Sequence, residues 1–267
     1  LAPLPIRGVG DHGVHRGEGP MTELTENTET GEIDGREIGL DLLDRFGAAA
    51  LAGLTAGLLI GGVGGRLAML LLRLTSSDAV RGIESDDGFT IGQVSTDSIF
   101  LLAATTLLGT LLAFAYLLVR RWLPERRRPL QVAAFLGVTG GAAVIKPDGV
   151  DFTQLDPLLL AVVLFVALPA AYGWVMAAMV EGLIARPGTY RKTRVAAIVL
   201  FVAIGFFGLL AFGIALLGGV LVLIGRRWPA VAALVTHPVV TWAVRLGLLV
   251  LVVISGTDLV SDVAEIL

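Results

Sequence analysis

Long uncharged runs, separated by short polar segments, dominate the hydrophobic pattern of this chain. The first run, residues 47–74, continues for 19 residues before it reaches its first charge at Arg66. An α-helix rises about 1.5 Å per residue and the hydrocarbon core of a bilayer is about 30 Å thick, so about 20 apolar residues cross it once. Residues 47–74 are therefore predicted to form the first transmembrane helix.

Small residues form a stripe within this first run. Gly53, Gly57, Gly61 and Gly65 recur at every fourth position, which places them on one face of a helix. Helices in lipid gain little from the hydrophobic effect when they associate, so their association depends on the close backbone approach that small residues permit. We predict that this stripe is the packing face around which a helical bundle assembles.

Five further apolar runs have lengths suited to membrane helices: residues 99–119, 130–145, 157–184, 195–224 and 230–254. The run at 130–145 is short for a crossing. Local thinning of the bilayer, or snorkelling of Arg128 and Lys146 at its ends, would accommodate it, and a re-entrant segment is the alternative. The predicted fold is an all-α, polytopic transmembrane helical bundle of about six spans.

Composition favours a membrane domain over a soluble one. The chain is 55% hydrophobic and 16% charged, whereas soluble domains are about 25% charged. It has no cysteine, which excludes thiolate catalysis, disulfides and cysteine-ligated metals. The net charge of -3 argues against a nucleic-acid partner. The expected partners are the lipid bilayer and either other membrane proteins or further copies of this chain.

Residues 1–35 differ from the rest of the chain. They are rich in Gly, Glu and Thr and have no apolar run, so we expect a disordered N-terminal tail ahead of a transmembrane helical domain at residues 36–267. The opening residues lack the charged start, apolar centre and cleavage site of a signal peptide. Met21 begins an acidic segment typical of a cytosolic tail, so Leu1 and Met21 both stay open as translation starts.

Positive charges predict the orientation. Two basic clusters follow the runs at 99–119 and 157–184, and under the positive-inside rule they mark the cytoplasmic side; they consist of Arg120, Arg121, Arg126, Arg127, Arg128, Arg186, Arg191, Lys192 and Arg194. This orientation predicts a multi-pass protein of the cell (plasma) membrane with a cytoplasmic N-terminus. It also places the acidic loops at 75–98 and 146–156 outside.

The run at 195–224 leaves two interpretations open. A single tilted crossing is preferred, because two short arms make a cramped hairpin and lipid-exposed irregular backbone is costly. That crossing gives six spans and a cytoplasmic C-terminus, but it puts Arg226 and Arg227 outside. In the alternative the run dips into the membrane and returns, which makes both arginines cytoplasmic and sends the acidic C-terminal tail outside.

Two arginines within the apolar runs are candidate functional residues. Charges within a span cost several kcal/mol unless they are paired, hydrated or able to snorkel. In the six-span orientation Arg66 and Arg245 both lie in the outer half, on the side of Asp148, Asp151 and Asp156. The hypothesis is an outer polar site, part of a ligand or ion pathway, in which the arginines meet these aspartates. Snorkelling or a structural ion pair is the alternative.

Residue types that carry most enzyme chemistry are scarce. The chain has three histidines and shows no H-E-x-x-H, G-x-S-x-G, P-loop or dinucleotide-binding pattern. Asp148, Asp151 and Asp156 could ligate a hard cation, but their spacing is not that of a calcium loop, and solvated turns are preferred. We therefore expect no catalytic site, metal or cofactor and predict that the protein is not an enzyme. Glu181 is expected to pair with nearby arginines.

Four segments together resemble a group of uncharacterised multi-pass membrane proteins of actinobacteria: GGVGGRLAM, ESDDGFTIGQVST, KPDGVDFTQLDP and DLVSDVAEIL. The resemblance covers roughly residues 46–267. It implies that Arg66 and the two acidic loops belong to a family pattern, and it brings no activity, ligand or residue role.

Two functions from different classes are consistent with these patterns. The first is small-solute or ion transport, or permeation, along a pathway near Arg66 and Arg245. The alternative is a non-enzymatic membrane scaffold, assembly or sensor subunit, which the small-residue stripes favour. A membrane enzyme acting on lipid is the weakest of the three.

Overall fold

The computed structural model describes residues 35–76, 96–149, 156–203, 213, 216–220, 233 and 236–267 of the 267-residue chain. Within these ranges the chain forms helices joined by short turns and contains no strand, which confirms the all-α class. The helices are α1 (Gly35–Ala56), a π-helical segment (Gly57–Gly64), α2 (Gly65–Thr75), α3 (Thr96–Val119), α4 (Arg128–Val144), α5 (Leu158–Ile184), α6 (Arg191–Ala203) and α7 (Pro238–Ile266). The predicted tail lies outside the described residues, apart from Gly35.

Four stretches are helical, long and apolar enough to cross a membrane: Gly39–Thr75, Ile99–Trp122, Leu158–Ile184 and Pro238–Ile266. They support a helical membrane protein, as the composition predicted. The fifth apolar helix, α4, has 17 residues and a length of about 26 Å, so it is short for a crossing. The expected count of six spans is not confirmed.

The first long helix is continuous through α1, the π-helical segment and α2, because both joins keep right-handed helical dihedral angles. Its middle is the glycine-rich sequence GLLIGGVG. Glycine is a poor α-helix former, so this is where the α-helical register is most easily lost. The π-helical turn therefore falls in the glycine-rich part of the first span.

Helix α3 lies antiparallel to this first helix. A Cβ built on Gly53 would lie 2.5 Å from Thr110 Cα, and one on Gly62 would lie 3.2 Å from Leu102 Cγ. Tyr172 of α5 donates a short hydrogen bond from its hydroxyl to the Gly109 carbonyl in the same region. The backbones of the first helix and α3 are thus in close contact, and α5 is tied to them.

Helices α4 and α5 form a second antiparallel pair. A Cβ on Gly173 would meet the Val132 carbonyl at 2.9 Å, and one on Gly141 would meet Val166 Cγ2 at 2.9 Å. The pairing defines two ends of the bundle. The end that contains the α3–α4 turn, residues 120–128, is called the arginine-rich end. The other end, where α2 and α4 finish and where α5 begins, is called the opposite end.

Helix α7 starts at the arginine-rich end. Arg245 Nε donates a hydrogen bond of 2.7 Å to the Trp122 carbonyl. At the other end of the helix, Asp262 Oδ2 lies 3.7 Å from Lys146 Nζ, which follows α4 at the opposite end. Arg245 therefore lies near the arginine-rich end. The expectation that it lies in the outer half with Arg66 is wrong.

Residue 218 of the apolar run at 195–224 lies at the same end of the bundle as the start of α6. Helix α6 begins at Arg191, and a Cβ on Gly218 would lie 2.8 Å from Leu118 Cδ2 and 3.7 Å from the Phe46 ring. Leu118 immediately precedes the last residue of α3, at the arginine-rich end. A single crossing would have put residue 218 and the start of α7 toward the opposite end, so these contacts conflict with it and agree with the dip-and-return alternative. Arg226 and Arg227 lie outside the described residues.

Candidate functional site

Glu181, in the last turn of α5, lies at the centre of a polar cluster at the arginine-rich end. Arg120 Nε and Nη2 donate to its two carboxylate oxygens at 2.9 and 2.7 Å. Arg128 Nη1 donates to Oε2 at 3.1 Å, and the Tyr116 hydroxyl donates to Oε1 at 2.5 Å. One carboxylate therefore binds side chains of α3 and α4 to α5, and the expected pairing of Glu181 with arginines is confirmed.

These charges are largely shielded from solvent. The side chains of Arg120, Arg128 and Glu181 are 18%, 10% and 26% exposed. Charges this shielded are tolerated only when they are paired with good geometry, and the two-pronged contact from Arg120 meets that need. Glu125, by contrast, is 86% exposed and reaches Arg128 Nη2 at 3.4 Å, so it forms only the rim of the cluster.

Arg194 is the centre of a second cluster beside the first. Its side chain is 1% exposed. Its Nη2 donates to the carbonyls of Leu183 and Arg186 at 2.8 and 3.0 Å, and its Nη1 donates to the Asp44 carbonyl at 3.3 Å. The guanidinium thus satisfies carbonyls at the C-terminus of α5, where a positive charge is favoured by the helix dipole.

Asp44 joins α1 to the same cluster. Its Oδ2 accepts a 2.8 Å hydrogen bond from the backbone nitrogen of Gly188, and its Oδ1 lies 3.7 Å from Arg194 Nη1. Gly188 has a φ of 74°, a left-handed conformation that glycine adopts without strain. The loop between α5 and α6 is therefore held in place against α1 by one carboxylate.

An Arg194→Lys substitution is expected to lower the unfolding free energy by about 2 kcal/mol, because a single ammonium cannot replace the planar fork that reaches two helix-end carbonyls and Asp44. Thermal unfolding in mild detergent, followed by circular dichroism, measures the change. Arg191→Lys is the matched control, since Arg191 is 46% exposed and lies 3.9 Å from the same Asp44 carboxylate. Equal losses in the two variants would contradict the role assigned to Arg194.

The residues of the predicted outer site are not all brought together. Arg66 lies on α2, with its Nε and Nη2 nitrogens buried. At the opposite end, the backbone carbonyl of Asp156 accepts hydrogen bonds from the hydroxyls of Thr75 and Ser76, at 2.8 and 3.0 Å. The side chains of Asp156 and Asp148 are exposed, and Asp151 lies outside the described residues.

Arg245 is separated from the rest of that predicted site. Gly62, four residues before Arg66, packs against Leu102, whereas Arg245 contacts Trp122, twenty residues further along the α3 segment. Twenty residues of helix span about 30 Å. A pathway site that contains both arginines is therefore not assembled.

The four glycines of the predicted packing stripe have different surroundings. A Cβ on Gly57 would lie 2.9 Å from Thr106 Cα, and one on Gly61 would lie 3.1 Å from Thr105 Cβ. Gly53 contacts α3 in the same way, as described above. A Cβ on Gly65 would meet no atom within 4 Å, so the close face covers three of the four positions.

Comparison with known proteins adds no relative to this picture. No family model matches the chain, and no curated protein or solved structure gives a significant match. In the described parts of the chain, no group of three or more His, Cys, Asp or Glu side chains is placed to hold a metal ion.

Sequence reasoning missed three members of the two clusters: Tyr116, Asp44 and Arg194. Tyr116 lies near the end of α3, and Arg120 follows four residues later, directly after the helix. This spacing puts two side chains on one helix face, so a tyrosine one turn before an arginine at the end of an apolar run was the available signal. The sequence identifies Arg194 only as part of a basic cluster that indicates topology. Nothing in its local sequence distinguishes it from the exposed Arg191 and Lys192.

Proposed function

We propose that this chain is a non-enzymatic scaffold or assembly subunit of the cell membrane, in which α7 is the helix that receives a partner membrane protein. The observation that carries the proposal is the burial of the membrane-length helices. The share of the apolar window that is buried is 56% for Gly39–Thr75, 39% for Ile99–Trp122 and 22% for Leu158–Ile184, and it falls to 0% for Pro238–Ile266.

Helix α7 is attached to the bundle along one side. Among the described elements it packs against α4 and the turn at Arg120–Trp122, and its polar side-chain contacts with the rest of the bundle are the ones made by Arg245 and Asp262. Its outward side chains are large and apolar, and Trp242, Leu249 and Val260 are 61%, 57% and 69% exposed. A helix held in this way offers a long side to a second transmembrane helix.

The polar groups elsewhere in the bundle support the same proposal. Glu181 and Arg194 join helices of this chain, and Thr106 and Thr110 donate to backbone carbonyls one turn back in α3, at 2.5 and 2.8 Å. Polar side chains that line a solute pathway must be able to bind the solute, so they would have to break such bonds or have further donors and acceptors available. These bonds within the chain are better suited to rigid packing of the helices.

The proposed topology has five crossings: the first long helix, α3, α4, α5 and α7. Helix α6 enters from the arginine-rich end and the chain returns to it. The positive-inside rule makes that end cytoplasmic, with the N-terminus inside and the C-terminus outside the cell (plasma) membrane. The contacts of Gly218 with Leu118 and of Arg245 with Trp122 support an even number of passages between α5 and α7.

Site-directed photo-crosslinking in native membranes tests the scaffold proposal. A photoreactive residue at Leu249 of α7 is expected to give an adduct with a second polypeptide of discrete mass. The matched control is Val163 of α5, which is 52% exposed, close to the 57% of Leu249, and is expected to give lipid adducts only. Adduct patterns that do not differ between the two positions would contradict the proposal.

Transport is the second candidate, and the surroundings of Arg66 favour it. This arginine follows the π-helical segment by two residues, and π-helical turns occur frequently at functional sites. Transport predicts flux of K⁺, Na⁺, Cl⁻ or H⁺ in reconstituted vesicles that Arg66→Lys lowers and Arg81→Lys leaves unchanged. The scaffold proposal predicts flux no greater than in protein-free vesicles.

A further inference from the structure

The arginines of the turn between α3 and α4 fall into two groups. Arg120 and Arg128 are engaged by Glu181, as described above. Arg121, Arg126 and Arg127 are exposed, and among the described residues none of these three forms an ion pair. Three guanidinium groups within seven residues of chain are therefore exposed, with no described carboxylate paired to them.

Tryptophan side chains place this turn at the level of a membrane–water interface. The guanidinium carbon of Arg121 lies 4.2 Å from the ring centroid of Trp122. On α7, Trp242 is 61% exposed and lies 5.7 Å from the guanidinium carbon of Arg245. Tryptophan is enriched at the headgroup level of bilayers, so the outward arginines lie where lipid headgroups are.

The local charge balance is strongly positive. Counting the five arginines of the turn with Arg245 gives six positive charges, and Glu125 and Glu181 are the carboxylates bonded to them. Four positive charges remain. Because Arg245 bonds to the Trp122 carbonyl, the cationic turn is directly beside the first turns of α7, whose apolar side chains are exposed.

We propose that an anionic phospholipid binds here, with its phosphate on Arg121, Arg126 and Arg127 and its acyl chains along α7 from Trp242 toward the middle of the helix. Guanidinium groups bind phosphate through pairs of parallel hydrogen bonds. Exposed Trp242 and Leu246, at 61% and 54%, supply the apolar surface for the chains. This proposal is independent of the scaffold proposal, because neither the headgroup site nor the apolar surface depends on a partner protein.

The experiment is a lipid titration of the full-length protein in mild detergent, with native mass spectrometry to count bound lipids. Phosphatidylglycerol is expected to bind at least 10-fold more tightly than phosphatidylcholine, and the double variant Arg126→Gln, Arg127→Gln is expected to lose about 10-fold in phosphatidylglycerol affinity. Neither side chain is engaged within the described structure, so the variant should fold, and its circular dichroism spectrum should match that of the wild type.

The matched control is the double variant Arg186→Gln, Lys192→Gln, which removes two exposed charges at the same end of the bundle but outside the turn. It is expected to change phosphatidylglycerol affinity less than twofold. Equal affinity for the two lipids, or an equal loss in both double variants, would overturn the proposal. So would displacement of phosphatidylglycerol by millimolar inorganic phosphate, because the site would then bind free anions and not lipid.

Discussion

A Gly53→Ala substitution is expected to destabilise the bundle by about 3 kcal/mol, the upper part of the range for overpacking a filled interior. The added methyl group would lie 2.5 Å from Thr110 Cα and 3.1 Å from the Gly109 carbonyl oxygen. Both atoms belong to the backbone of α3, so no side chain can rotate away to relieve the contact. The first helix and α3 would have to move apart, and dispersion contacts along their shared length would be lost.

Unfolding in mixed micelles of mild detergent and dodecyl sulfate, followed by circular dichroism, measures this loss. Gly65→Ala is the matched control, because Gly65 belongs to the same long helix and a Cβ there meets nothing within 4 Å. Alanine is a better helix former than glycine by about 1 kcal/mol, so the control is expected to be neutral or slightly stabilising. A comparable loss in both variants would show that backbone conformation, and not close helix contact, determines the result.

The helices of this bundle were predictable because membrane-length uncharged runs are a strong signal in a sequence. The runs at 99–119 and 157–184 fall within α3 and α5 and the connecting turn residues. The stripe at Gly53, Gly57 and Gly61 likewise follows from a simple spacing. The π-helical segment could not be predicted from this spacing. A π-helical turn contains more residues than an α-helical one, but in a run of glycine and leucine the wider turn leaves no distinct hydrophobic period.

The direction in which α7 runs through the bundle was the main feature that could not be predicted from the sequence. A run of thirty apolar residues is long enough for one tilted crossing and also for two short arms, so length does not decide between them. The charges of Arg226 and Arg227 pointed to the second arrangement, but they were weighed against the cost of irregular backbone. Only long-range contacts, such as that of Gly218 with Leu118, distinguish the two.

The same limit applies to the site. Arg66 and Arg245 were grouped because each interrupts an apolar run, and this grouping depended on the assumed direction of α7. Pairing of Glu181 with arginines was expected because it lies at a helix end beside a basic cluster, but its partners Arg120 and Arg128 come from the other cluster, 61 and 53 residues away in sequence. Arg194 was not singled out, since its burial follows from the position of the α5 C-terminus and not from its own neighbours.

Glu181→Gln is expected to lower the unfolding free energy by about 3 kcal/mol, because it leaves the shielded guanidinium groups of Arg120 and Arg128 without their carboxylate. The amide keeps the size of the side chain and one acceptor oxygen, so packing changes little and the effect reports charge. The value is at the lower end for buried pairs, since the three side chains keep 10% to 26% of their exposure. The same unfolding assay in mixed micelles applies.

Glu125→Gln is the matched control for this substitution. Glu125 also bonds to Arg128 but is 86% exposed, and exposed pairs contribute less than about 1 kcal/mol. Combining Glu181→Gln with Arg120→Gln should cost less than the sum of the two single changes by about 1 kcal/mol or more, because the second change removes a charge that the first left unpaired. Strict additivity, or a Glu125 effect as large as that of Glu181, would mean that the helices at this end are joined by apolar packing and that the carboxylate contributes little.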